Sequence, residues 1–103
     1  MFIHTVYFWL HEDTPDPARR QLIEDCRTLL RQVPTVRQLW AGAAADTPRD
    51  VVDNSYGCGL TVVFDDRAGH DVYQDHSLHQ QFIERNKAHW KRVQVYDFVQ
   101  SPE

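Results

Sequence analysis

The chain is expected to fold as an α+β domain in the order βαββαβ, a ferredoxin-like arrangement with a four-stranded antiparallel sheet. Three observations lead there. Four segments are rich in aromatic and β-branched residues, and amphipathic helical stretches separate the first pair and the last pair. The first of these segments is apolar on both of its faces. At 103 residues the chain has the size of one domain, read as spanning 1–103.

Residues 2–10 (FIHTVYFWL) read as the first strand. Thr14-Pro15 and Asp16-Pro17 both suit a helix start, because proline has no N–H to leave unpaired at the first helical position. From there Ala18, Leu22, Ile23, Cys26, Leu29, Leu30 and Val33 recur at helical spacing, and Pro34 ends the run. Residues 36–43 read as the second strand, 44–54 as a polar loop and 55–64 as the third strand. Asp65 or Asp66 caps a short helix reaching about Tyr73. Ser77 and Gln80 have the spacing of a capping box for a helix over 78–90. Residues 92–99 (RVQVYDFV) form the last strand.

Side chains alternate across a strand, so Phe2, His4, Val6 and Phe8 share one face, and Ile3, Thr5, Tyr7 and Trp9 the other. Helices of one chain cover one face only, and a strand apolar on both sides calls for cover on both. A homodimer packed sheet to sheet is therefore expected. Its interface would hold Ile3, Thr5, Tyr7, Trp9, Gly57, Gly59, Thr61 and Val63, with the two glycines leaving room for Tyr7 and Trp9.

Composition narrows the functional classes. Eleven basic and fifteen acidic residues give a net charge of -4 with no basic stripe, which argues against nucleic acid as partner. No apolar run approaches the ~20 residues of a membrane span, and no leader pattern opens the chain, so a cytoplasmic protein away from membranes is expected. Cys26 and Cys58 read as two small buried residues rather than a disulfide framework.

Six histidines are many for this length. In the last helical stretch Leu78, Phe82, Ile83 and Trp90 make an apolar stripe, Gln80, Glu84, Lys87 and Lys91 a wet face, and His79, Asn86 and His89 fall within the stripe. His4 looks toward the same interior from the first strand. Each of these alone is most simply a hydrogen-bonded core residue. Their convergence with Tyr73 points instead to a pocket between sheet and helices for a small apolar or aromatic molecule. Its lining is read as His4, Val6, Phe8, His76, Phe82, Asn86 and Trp90, unless Phe8, Phe82 and Trp90 fill the interior. His76 and His79 have a spacing that a metal accepts, yet no third ligand is evident, and no metal or cofactor is expected.

His4, Phe64-Asp-Asp, Tyr73-x-x-His76-x-x-His79, Trp90 and the closing Val-Tyr-Asp97-Phe together resemble the stress-responsive α/β-barrel (Dabb) domain family over about residues 2–99. The resemblance implies a dimeric α/β barrel. Many family members have no assigned activity, and one type is a polyketide cyclase, olivetolic acid cyclase. Its acid and base carry over to Tyr73 and His79, and its cavity positions to His4 and Leu60. Ser77 replaces the family's usual proline, and Ile23 and Cys26 stand at aromatic wall positions of the cyclase, so a differently shaped pocket is implied. Three readings follow: a ligand-binding dimer, a cofactor-free lyase or cyclase using Tyr73 and His79, and a structural dimer with a filled core.

Overall fold

In the computed structural model, which describes residues 1–101, the elements follow the expected order. Strand β1 is Phe2–Leu10, helix α1 Asp16–Thr28, β2 Gln38–Gly42, β3 Cys58–Phe64, α2 Arg67–Asp75, α3 Ser77–Asn86 and β4 Trp90–Val99. The sheet order is β2-β3-β1-β4 and every neighbouring pair is antiparallel.

Local chemistry moves several boundaries. Helix α1 stops at Thr28, and Leu30–Gln32 form a 3-10 turn instead of a continuous helix to Pro34. Proline disfavours helical backbone at the residue before it, and Val33 is extended at ψ 124°. Strand β2 is shorter than 36–43, because Val36 N–H closes a turn onto Val33 O. Strand β3 begins at Cys58 rather than residue 55, since Asp53 Oδ1 accepts from Ser55 N at 2.8 Å and holds that stretch in a turn. Asp66 caps α2, accepting from Gly69 N at 2.9 Å, while Asp65 pairs with Arg37.

The expected Ser77–Gln80 capping box does not form. His76 is the extended cap residue, and its Nδ1 accepts from Leu78 N at 3.0 Å. Ser77 is already helical, one position too late to cap. Helix α3 ends at Asn86 rather than 90, followed by the 3-10 turn Lys87–His89, and β4 starts two residues early at Trp90.

The helices cover one sheet face. Phe2, His4, Val6 and Phe8 of β1 and Cys58, Leu60, Val62 and Phe64 of β3 are buried there against Leu22, Cys26, Tyr73 and Phe82. Cys26 and Cys58 are both free and buried. The register puts Ile3, Thr5, Tyr7 and Trp9 on the other face with Trp40, Gly59, Thr61, Val63, Tyr96 and Phe98. There Trp40, Tyr96 and Phe98 are 56–60% exposed, so a band of aromatic rings crosses the uncovered face. A Cβ on Gly59 would touch Tyr56 at 3.4 Å and Tyr7 at 3.5 Å, which is the room expected of it, although the second ring is Tyr56 and not Trp9. Gly57 departs from its expected role. It precedes β3, and its space is taken by the Leu10 side chain at 3.2 Å.

Candidate functional site

A cavity of about 170 Å³ lies between the helix-covered face and α2–α3. Alternation along β1 delivers His4, Val6 and Phe8 to it, β3 adds Leu60, and α2 adds Tyr73 and Gln74. Helix α3 contributes His79, Phe82 and Ile83, and β4 contributes Trp90, Val93 and Val95. The rings of Phe8, Phe82 and Trp90 pack together with centroids 4.9–5.9 Å apart and line the cavity without filling it.

The polar end is built from four elements, β1, α2, α3 and β4. His4 Nδ1 donates to Asp97 Oδ1 at 2.6 Å, because a carboxylate can only accept. This pairing follows from the register that sets His4 opposite Asp97. It fixes the His4 tautomer and leaves Nε2 unprotonated. Burial pushes the His4 pKa below its ordinary value, with the Asp97 hydrogen bond and charge pulling the other way. His79 is also lowered, first by burial and then by the neighbouring His4 and His70, while Asp75 raises it. Both imidazoles are therefore held toward the neutral form. Burial pushes the Tyr73 phenol up, so it remains a neutral hydrogen-bond donor. The Tyr73 ring packs edge-on against both histidines, with centroids 4.8 Å from His79 and 5.9 Å from His4. Among the described residues His79 Nδ1 and Trp90 Nε1 are buried with no hydrogen-bond partner, a costly state that the surrounding packing has to sustain.

Of the residues expected at the site, the structure brings together His4, Val6, Phe8, Leu60, Tyr73, His79, Phe82 and Trp90. It takes His76 away, using it as the α3 cap. It takes Asn86 away as well: Asn86 Nδ2 donates to Asp25 Oδ2 at 3.0 Å and to Phe82 O at 2.9 Å. Asp25 also pairs with Arg85 at 2.8 Å, so this buried network ties α1 to α3 rather than facing the cavity. His70 and Asp97 were not expected as site residues. The only sequence signal for them was their position, His70 within the histidine-rich stretch and Asp97 within the closing strand. The ligand atoms of His4, His70 and Asp97 lie within 4.8 Å of one another.

A ferredoxin-like sheet with a partly polar cavity under its helices defines a class of small α+β domains. The chain belongs to the stress-responsive A/B barrel domain (Dabb) family, whose pattern it matches over residues 2–100. No curated protein matches it in sequence. Among solved structures it is similar to a Dabb protein with a ferredoxin-like fold from Mesorhizobium loti, at 22% identity and a TM-score of 0.78, covering 97% of this chain and 96% of that one. It is similar to a dimeric ferredoxin-like protein of unknown function from Thermobifida fusca, at 17% identity and 0.80, covering 96% and 90%. It is also similar to the hydroxynitrile lyase from Passiflora edulis, at 14% identity and 0.82, covering 99% and 94%. At identities this low the likeness shows a common fold and nothing more. Among the described residues no helix is long and apolar enough to cross a membrane.

Proposed function

We propose that this protein is a homodimer whose sheet-to-helix cavity binds a small, largely apolar carbonyl compound and moves a proton on it with the chain's own acids and bases. The observation that carries this reading is the Tyr73 ring packed against both the His79 and His4 rings in the lining of a largely apolar cavity. His79 accepts the proton next to the carbonyl, and the Tyr73 phenol donates a hydrogen bond to the oxygen as negative charge develops there. Asp97 acts as a positioning residue that orients His4. A cavity of about 170 Å³ suits a molecule with one ring, since a 150 Å³ protein cavity is known to hold benzene. Positioned acids and bases contribute about 10²–10⁴-fold each, so the C–H must already be activated. The dimeric Thermobifida fusca relative and the Passiflora edulis lyase support the two halves of the reading by analogy of fold.

The test is deuterium exchange at the benzylic position of phenylacetone in D2O, followed by NMR. The protein accelerates exchange over buffer, and Tyr73→Phe and His79→Ala each lower the rate at least tenfold while remaining folded. Exchange at the buffer rate, or exchange indifferent to both substitutions, would overturn the assignment.

A further inference from the structure

We propose that His4, His70 and Asp97 form a binding site for a first-row divalent transition ion, zinc being the type case. Their ligand atoms lie within 4.8 Å of one another, and they come from β1, α2 and β4, so the tertiary fold assembles them. Two imidazoles and one carboxylate are a donor set that zinc and cobalt accept, whereas magnesium and calcium prefer oxygen ligands throughout.

The surroundings orient the ligands as a metal site requires. His70 Nδ1 donates to Asp71 Oδ1 at 3.0 Å, which makes Nε2 the nitrogen that carries the lone pair. A histidine that ligates a metal ordinarily gives its other N–H to a carboxylate in this way. The Nε2 lone pair is met by the Gln74 amide at 3.3 Å, a long contact that an ion readily displaces. Among the described residues no Lys or Arg pairs with Asp97, so its charge is available.

For an ion to bind, the His4–Asp97 hydrogen bond and the Gln74 contact on His70 both open, and ligand atoms now up to 4.8 Å apart draw together. The 2.6 Å His4–Asp97 separation is shorter than the roughly 3.3 Å between two ligands of a tetrahedral zinc ion. The ion replaces the shared proton and parts the two side chains by less than an ångström. Asp97 can give, because it lies on the outer strand β4 with 36% of its side chain exposed, and this opening also admits the ion. The ion and the proton-transfer chemistry thus use His4 and Asp97 in alternation. Three protein ligands leave a fourth position open, which is the habit of zinc sites that take a water or an exogenous ligand.

Chelator-treated protein is titrated with ZnCl2 by calorimetry and with CoCl2 by visible absorption. The expected result is one ion per chain, with cobalt bands of the intensity that four-coordinate sites give. Asp71→Asn weakens binding about tenfold or more through loss of the orienting carboxylate. His70→Phe abolishes stoichiometric binding and the cobalt bands. It keeps a ring against Phe2, whose centroid lies 4.5 Å from that of His70, so a packing loss is not mistaken for ligand loss. Absence of zinc binding by the unaltered protein would overturn the proposal. So would binding of unchanged affinity in both His70→Phe and Asp97→Asn, which would place the ion elsewhere. The outcome is independent of phenylacetone exchange, which is run on metal-free protein.

Discussion

Burial decides the charge of the site histidines, and this has a consequence for stability. His79 and His4 have folded pKa values below 6.5, so below pH 6.5 the unfolded chain takes up protons that the folded chain refuses. Their contribution to stability is fully present above pH 6.5 and is lost as the pH falls from 6.5 toward the folded pKa. Urea titrations at pH 7.5 and 5.5 should show lower stability at 5.5, and His79→Gln should flatten the difference; a wild-type protein equally stable at both would contradict the burial argument. The Asp25 network makes a second prediction. Asp25→Ala removes the acceptor of Arg85 and of one Asn86 bond, and should cost about 2 kcal/mol in urea denaturation, since Arg85 is half exposed and finds water again. His4, Tyr73 and His79 were legible in the sequence because strand and helix periods aim them at one interior. Asp97 was not, because its partner is set by the β1–β4 register, which no local pattern states. Asn86 shares the stripe of His79, but its bond to Asp25 lies 61 residues away along the chain.

At the scale of elements, polar caps and edge contacts set where each helix and strand stops. Asp66 accepts the Gly69 N–H, so Asp66→Ala should lower stability by about 1 kcal/mol, read by thermal denaturation, with the loss concentrated in amide protection of α2. Strand β2 is an outer strand whose carbonyls would invite pairing. Arg27 donates to Ala41 O at 2.7 Å and Arg31 to Leu39 O at 2.8 Å, so side chains of α1 and the turn after it occupy that edge. The bounds of β1 were readable to the residue, because a run rich in aromatic and β-branched types fills it from end to end without a glycine or proline. The ends of α1, β3 and α3 were not. Each depends on a local competition that composition does not resolve: Pro34 against helix continuation, the Asp53 turn against strand, and the His76 ring against the Ser77 hydroxyl.

For the whole molecule, the two sheet faces divide the work. One is covered by helices and holds the cavity; on the other Trp40, Tyr96 and Phe98 are exposed, while Tyr7 and Trp9 are partly covered by Ser55 and Tyr56 of the loop before β3. The two-faced apolar pattern of β1 made both faces visible in the sequence, while the aromatic contribution of β4 and β2 emerged only from strand order. The proposed homodimer buries this band, so Trp40→Asp should shift sedimentation equilibrium toward monomer without altering the cavity side. A substituted protein that sediments as the wild type does would move the interface off the sheet. Native mass spectrometry of the protein in the presence of phenylacetone reads both faces at once. The expected species has twice the chain mass and retains one small molecule per chain, with retention lost on Tyr73→Phe and His79→Ala combined. A monomer, or a dimer that retains nothing, would contradict it.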